Sequence, residues 1–228
     1  MISVYGSTGF IGSHYSDLYN DNVIRINRNT RDPQSKDILY FISTVTNYNV
    51  FDNPHLDINT NLNVLVETLE SCRKKYGSDF TFNFISSWFV YGKSTLPAKE
   101  SSSCNPKGFY SITKLAAEQL LISYCETYGI NYRILRLCNV YGVGDKKSSK
   151  KRNALQHLAT EVAQGNDINL YNDGKDIRDF MHVKDICRAI DCVTNHGEIN
   201  DTYNIGSGQP NNFFELMSYV KQKTKTDS

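Results

Sequence analysis

The 228-residue sequence contains no apolar run approaching the roughly 18 residues that a membrane-spanning helix needs. It has no Cys-x-x-Cys pair, and its six cysteines, at 72, 104, 125, 138, 187 and 192, stand at no metal-ligand spacing from histidine. No metal site is expected. There is no charge excess: 25 Lys and Arg against 24 Asp and Glu leave a net +1. That excludes a bulk electrostatic pull toward nucleic acid or a membrane surface. Repeats and low-complexity tracts are absent. Met1 leads straight into an apolar segment, so no secretory leader is expected. These absences point to a cytoplasmic protein with reduced thiols.

What is present is an alternation of short apolar runs and amphipathic stretches. Strands are expected over Ile2–Tyr5, Val23–Ile26, Ile38–Val45, Phe80–Ser86 and Tyr132–Leu137. Helices are expected after Gly12 to about Tyr19, over Leu56–Tyr76 and over Ser111–Tyr128. This order predicts an α/β fold, a doubly wound parallel sheet with helices on both faces. After Gly142 the pattern loosens. A basic run, 146–152, precedes a helix from about Ala154 to Gln164, a short strand Ile168–Tyr171 and a turn at Asn172–Gly174. A helix Val183–Thr194, a strand Thr202–Ile205 and a helix Phe213–Lys223 complete the chain.

Gly6-x-x-Gly9-x-x-Gly12 joins the first strand to the first helix. The first glycine allows the tight turn, the second lets the backbone approach a pyrophosphate, and the third lets the helix pack closely. The amides of Phe10 and Ile11 then open a helix N-terminus, where the dipole favours phosphate. The end of the second strand reads the adenosine ribose. An acid there favours NAD, and an arginine favours the 2'-phosphate of NADP. Here the residues are Asn27 and Arg28, with Arg25 and Arg31 nearby, so the cofactor is NAD or NADP with a lean to NADP.

Tyr110 and Lys114 are one helical turn apart on one face, and Ser86-Ser87 ends the preceding strand. A tyrosine titrates near 10 in water, too high for a base at neutral pH. The Lys114 charge favours the phenolate, and a serine donates to the substrate oxygen as charge develops there. Such a set moves a proton on and off an alcohol oxygen while hydride leaves or joins the carbon.

These features, with Ser86-Ser-Trp-Phe-Val-Tyr-Gly92, Leu135-Arg-Leu-Cys-Asn-Val-Tyr-Gly142, Arg178-Asp-Phe-Met-His-Val-Lys-Asp185 and Tyr203-Asn-Ile-Gly-Ser-Gly208, run in order along the chain. In that order and spacing the sequence resembles the extended short-chain dehydrogenase/reductase family, the nucleotide-sugar epimerases, dehydratases and reductases. The resemblance implies a Rossmann-type domain over 1–142. It also implies a shortened substrate region over 143–228, some segments of which return to the core. It places catalysis on Ser87, Tyr110 and Lys114. Cofactor binding falls on Gly6, Gly9, Phe10, Ile11, Gly12, Asn27, Arg28, Ser43 and Lys114, and substrate binding on Asn61, Ser87, Trp88, Asn139 and Arg178. A nucleotide diphosphate sugar is the implied substrate. A homodimer through helices 61–75 and 111–128 is the implied assembly.

The sequence departs from that family twice. About nine residues separate the second strand from Ile38, where the family places a further helix and strand. Only 43 residues follow Asp185. The first departure is expected to bare the adenine side of the site without opening the core. The second makes sugar specificity depend on 143–180 or on a partner subunit.

Several roles stay open at this point. Arg178 suits a diphosphate, or an ion pair with Asp173, Asp176 or Asp179. His182 suits packing more than proton transfer. The basic run 146–152 suits closure over a diphosphate, or a solvated face. The family's dehydratases carry an Asp-Glu pair directly after the catalytic Thr, where this chain has Trp88-Phe89. That leaves 4-epimerisation through a 4-keto sugar in front, NADPH-dependent 4-keto reduction second, and a non-catalytic dinucleotide-binding regulator third.

Overall fold

The computed structural model describes residues 1–145 and 153–226. The basic run 146–152 therefore lies outside the described residues. The chain forms two compact units. One comprises Met1–Leu137 with Lys184–Ile205, and the other Cys138–Val183 with Gly206–Ser228.

The first unit is built on a six-stranded sheet. Its strands are β1 (Ile2–Tyr5), β2 (Val23–Arg25), β3 (Asp37–Tyr40), β4 (Thr81–Ser87) and β5 (Asn131–Leu137), with a sixth, Asp201–Ile205. Every pairing is parallel. The spatial order is β2, β1, β3, β4, β5 and the Asp201–Ile205 strand. The sheet is a Rossmann-type doubly wound sheet with β2 at its edge. Successive strand residues point to opposite faces. Tyr5, Ile38, Tyr40, Phe82, Phe84 and Ile134 pack into one core with Leu65, Leu69, Ala117 and Leu121. Those last four lie on α3 (Val64–Tyr76) and α4 (Phe109–Tyr128). The alternate residues Val4, Leu39 and Leu135 are equally buried. Helix α1 (Phe10–Leu18) is tied to the helix Val183–His196 by Tyr15 Oη donating to Asp191 at 3.2 Å.

Two expected helical stretches form with local detail that periodicity does not show. The stretch predicted over Leu56–Tyr76 begins as α2 (His55–Ile58), widens into a π segment at Asn59–Asn63, and continues as α3. Gly77, at φ +65°, ends α3, and Gly129, in the left-handed region, ends α4. The third strand stops at Tyr40 rather than Val45. Beyond it the Thr44 amide turns to the side chain of Asn61 instead of to a neighbouring strand.

The short link after β2 is anchored. Tyr5 Oη and Ser71 Oγ both donate to the carbonyl of Arg31, at 3.0 and 3.2 Å. Lys75 donates to the Pro33 carbonyl at 2.7 Å, and Ser3 Oγ accepts from the amides of Gln34 and Ser35. The link is thereby laid against α3.

In the second unit β6 (Asn139–Tyr141) pairs in parallel with β8 (Phe180–His182), and β7 (Ile177–Arg178) pairs antiparallel with β10 (Asn211–Asn212). Its helices are α5 (Ala154–Ala163) and α7 (Phe213–Thr224); α6 (Val183–His196), from Lys184 onward, and the strand Asp201–Ile205, β9, belong to the first unit. Leu158, Val162 and Met217 form a core with Ile168 and Leu170 against it. The strand expected at Ile168–Tyr171 does not form. Ile168 and Leu170 bury into this core without a pairing partner, and a 3-10 turn, Tyr171–Gly174, follows.

Candidate active site

The site is assembled at the C-terminal end of β4, where open parallel sheets leave room for ligands. Ser87 closes β4, and its Oγ accepts from the Phe89 amide at 3.3 Å, capping the 3-10 turn Trp88–Tyr91. Tyr110 and Lys114 enter from the first turns of α4. That helix starts at Gly108, where Ser111 Oγ accepts from the Gly108 amide at 3.0 Å, and Asn47 Oδ1 accepts from the Ser111 amide at 3.2 Å. A Cβ at Gly108 would fall on the Asn47 side chain, so the close approach requires glycine. All three residues of the candidate set are buried, Lys114 to 1 % exposure.

Burial pushes the Tyr110 phenol up to about 12. Hydrogen bonding with Ser87, then with Ser43, pulls it back, while the Asp57 carboxylate adds to the rise. Burial pushes the Lys114 ammonium down to about 7, opposed by the negative charge of Glu118. Lys114 Nζ donates to the Ile85 carbonyl at 2.7 Å and lies 3.9 Å from the centre of the Phe84 ring. In this state Tyr110 is a phenol poised to give a proton. The lowering expected from Lys114 is not expressed here: burial, Ser87, Ser43 and Asp57 are the groups that set the phenol.

Trp88 and Phe89 stack on each other at 4.5 Å, and Phe89 meets Tyr110 edge-on at 6.0 Å. Neither brings a proton-transfer group beside Ser87. Asn61 is placed differently from the expected substrate contact. Its Oδ1 accepts from Ser43 Oγ and the Thr44 amide, and its Nδ2 donates to Thr44 Oγ1 and Thr113 Oγ1, all at 2.9–3.0 Å. The amide has two donors and two acceptor positions, and all four are spent inside the protein. Asn61 therefore joins the loop after β3 to α4. Asp57, fully buried four residues earlier, holds Thr44 Oγ1 and Asn49 Nδ2.

The glycine cradle has the geometry its spacing suggests. Gly6 sits at φ +79°, and a Cβ on Gly12 would stand 2.3 Å from the Gly6 carbonyl oxygen. Gly9 is the N-cap of α1 and no side chain caps it. The first-turn amides, Phe10 and Ile11 among them, face away from any helical acceptor, which suits a dinucleotide pyrophosphate. At the end of β2, Arg25 pairs with Asp17 at 2.7 Å and Arg31 with Glu67. Asn27 and Arg28 are exposed. Asn27 Oδ1 accepts from the Asn29 amide at 2.8 Å.

Asn139 and Arg178 belong to the second unit. Asn139 Nδ2 donates to the Asp179 carbonyl at 3.0 Å. Arg178 pairs with Asp176 at 3.4 Å. The Asp179 carboxylate accepts from Ser207 Oγ and from the amides of Ser207 and Gly208. His182 packs edge-on against Tyr141.

Residues 2–206 match the NAD dependent epimerase/dehydratase family. The chain belongs to this family. Its fellow members include NAD(P)-dependent epimerases, dehydratases and reductases of nucleotide sugars, and it stands with them as an enzyme. It is 29% identical to a putative UDP-glucose 4-epimerase of Methanocaldococcus jannaschii, over 98% of this chain and 82% of that protein. The fold matches the UDP-glucose 4-epimerase of Thermotoga maritima, solved with UDP-glucose, at a TM-score of 0.86 and 23% identity, over 100% of this chain and 83% of the other. It also matches RMD of Pseudomonas aeruginosa, solved with NADPH, at a TM-score of 0.87 and 25% identity, over 99% and 85%. No helix among the described residues is long and apolar enough to cross a membrane.

Several residues that build the candidate site were not singled out from sequence: Glu118, Arg136, Asp57, Thr113 and Asn47. The available signals were a glutamate one turn beyond Lys114 and an arginine inside the apolar run of β5.

Proposed function

We propose that the protein is a nucleotide-sugar 4-epimerase that works through a transient 4-keto sugar. The observation that carries this reading is the buried placement of Tyr110 against Ser87, with Lys114 one turn along α4. Tyr110 Oη takes the proton of the sugar 4-hydroxyl in the oxidising half of the reaction and returns it in the reducing half. Ser87 Oγ donates to the same oxygen and stabilises charge developing on it. Lys114, when charged, favours the phenolate, and in this reading it also holds the nicotinamide ribose. A bound nicotinamide dinucleotide supplies the hydride acceptor and donor. Gly6, Gly9, Phe10, Ile11 and Gly12 hold its pyrophosphate, and Asn27, Arg28 and Ser43 flank its adenosine and ribose portions.

The stacked Trp88 and Phe89 support epimerisation over 4,6-dehydration, because elimination of water needs proton transfers that neither ring performs. Trp88 walls the sugar site. Asn139 and Arg178 take the nucleotide diphosphate, with the Asp176 carboxylate displaced from Arg178 by phosphate. The first unit is the dinucleotide domain and the second the sugar-nucleotide domain. Val66, Ile112, Leu120 and Tyr128, apolar and exposed on α3 and α4, support a homodimer through those helices.

A second reading, NADPH-dependent reduction of a 4-keto sugar, is favoured by Arg28. Its neighbours Arg25 and Arg31 are spent on ion pairs, whereas Arg28 makes none among the described residues. The test is mass spectrometry of nucleotide released from freshly purified protein, followed by NMR assay with UDP-, GDP-, dTDP- and CDP-sugars. Retained NAD(H) and C4-epimer mixtures formed without added cofactor support epimerisation. Stoichiometric NADPH consumption on 4-keto sugars, with no epimer exchange, overturns it in favour of reduction.

A further inference from the structure

Behind Lys114 lies a buried polar network that the proposed reaction does not use. Glu118, 2 % exposed, is on α4 one turn beyond Lys114. Its carboxylate accepts from Ser86 Oγ, the residue next to Ser87, and from Arg136 of β5 through Nε and Nη2, the latter at 2.7 Å. Arg136 Nη1 donates to Tyr91 Oη at 2.9 Å and to the Glu100 carbonyl at 3.2 Å. Tyr91 Oη passes its proton-side bond to Asn204 Oδ1 at 2.7 Å. The Asn204 amide donates to Glu100 Oε1 at 2.9 Å, so the network closes on itself.

We propose that Glu118 is a positioning residue: through Ser86 it pins the end of β4, and with Arg136 it sets the balance of charge around Lys114. The proposal rests on the assignment of Lys114 and Ser87 to the reaction. Two independent features carry it. The first is geometric. β4 ends at Ser87 and turns at once into Trp88–Tyr91, and this junction is held from one side by Ser86 on Glu118 and from the other by Tyr91 on Arg136. The Ser87 hydroxyl is fixed between two anchors that share one ion pair. The second is electrostatic. Three buried charges lie together, Lys114, Glu118 and Arg136, at 1 %, 2 % and 8 % exposure. Arg136 bonds to the carboxylate, and Lys114 feels its charge without bonding to it.

The titratable and charged groups around the lysine are Tyr110 and Glu118 on its own helix and Arg136 on β5. Tyr91 follows β4, and Cys104 and Glu100 lie in the segment before α4. Of these, Glu118 favours charged Lys114. Arg136 opposes it by partly cancelling Glu118. The two substitutions that break the pair therefore act in opposite directions. Glu118→Gln removes the negative charge that favours charged Lys114, and the Lys114 titration moves down. Arg136→Gln leaves the carboxylate to Lys114 alone, and the titration moves up. A loosened structure would instead move both the same way, toward the value of a lysine in water.

The test is lysine 13Cε NMR over pH on the full ligand-free chain, with the Lys114 signal assigned by its loss in Lys114→Arg. The expected result is a Lys114 midpoint about one pH unit lower in Glu118→Gln, about a tenfold smaller charged fraction above the midpoint. A higher midpoint is expected in Arg136→Gln, and a return toward the native value in Glu118→Asp. Glu118→Gln decides the matter by itself, because loosening would raise its midpoint whereas the proposal lowers it. Unmoved midpoints, or shifts in the same direction, overturn the proposal. On a confirmed substrate, Glu118→Gln is further expected to lower kcat about 10- to 100-fold with a smaller change in KM, the signature of a misplaced catalytic group. If the midpoints move as stated while no nucleotide sugar is turned over, the functional reading fails and the setting of charge around Lys114 by Glu118 and Arg136 stands.

Discussion

The Lys114 ammonium donates to the carbonyl oxygen of Ile85 at 2.7 Å, inside the protein and one strand residue before Ser86. A buried lysine satisfied by a single carbonyl keeps its charge at a cost. Burial lowers it to about 7 from an ordinary 10.5. Between those two values the unfolded chain holds a proton that the folded chain has released, so this group makes stability rise with pH across that window. Below about 7 both states are protonated and the cost is present in full. Lys114→Met is expected to remove the rise. The check is urea unfolding of both proteins from pH 7 to 10. A stability difference between them that does not change with pH counts against the assignment.

Tyr110→Phe keeps the ring that meets Phe89 and removes only the hydroxyl. Turnover on a confirmed nucleotide sugar is expected to fall about 10²- to 10⁴-fold, the usual worth of a positioned acid or base. Nucleotide binding is expected to persist. Steady-state kinetics and a fluorescence titration with NADH separate the two effects, and unchanged kcat would sink the acid/base role.

Gly12→Ala places a methyl 2.3 Å from the Gly6 carbonyl oxygen, which belongs to backbone and has little room to yield. The helix must shift off the turn. We expect a loss of about 1–3 kcal/mol in stability from overpacking and weakened dinucleotide binding, read by calorimetry. Native affinity in the variant would show that the cradle does not hold the pyrophosphate.

Arg28→Ala tests the choice between NADP and NAD. A charged hydrogen bond to a phosphate is worth about 1.5–3 kcal/mol, roughly a 10- to 100-fold change in affinity. NADPH binding is expected to weaken by that factor while NADH binding stays put. An unchanged ratio of the two dissociation constants removes the argument for NADP.

Asn61→Leu deletes four hydrogen bonds and leaves the Thr44 amide and Ser43 Oγ facing an apolar group, while Thr44 Oγ1 keeps Asp57 and Thr113 Oγ1 keeps the Phe109 and Tyr110 carbonyls. The expected outcome is a loss of about 2–4 kcal/mol in stability from unsatisfied buried partners, seen as a lowered denaturation midpoint. An Asn61 that contacted sugar directly would instead raise KM with little effect on stability.

Much of the fold was legible along the chain. Short β-branched and aromatic runs alternating with amphipathic stretches specify parallel strands and covering helices, because each local pattern and the global packing ask for the same thing. Gly6, Gly9 and Gly12 were readable because only glycine meets the demands of that turn, and Tyr110 and Lys114 because one helical turn puts them on one face. Ile168 and Leu170 were misread as a strand, since a short apolar run looks alike whether it pairs in a sheet or packs into a helical core.

Asn61 was legible as a residue of the site, and its work was not. Its partners come from β3's trailing loop and from α4, 17 and 52 residues away. The same holds for Glu118, whose partners Ser86 and Arg136 lie on two different strands, and for Arg28, told apart from Arg25 and Arg31 only by where Asp17 and Glu67 stand. By itself the sequence determined the sheet, the glycine turn and the chemical identity of the candidate acid, base and donor, because these follow from local geometry and residue type. Only the tertiary structure decided which polar groups are spent on one another and which protonation each buried group prefers, because desolvation and hydrogen bonding are set by neighbours distant in the chain.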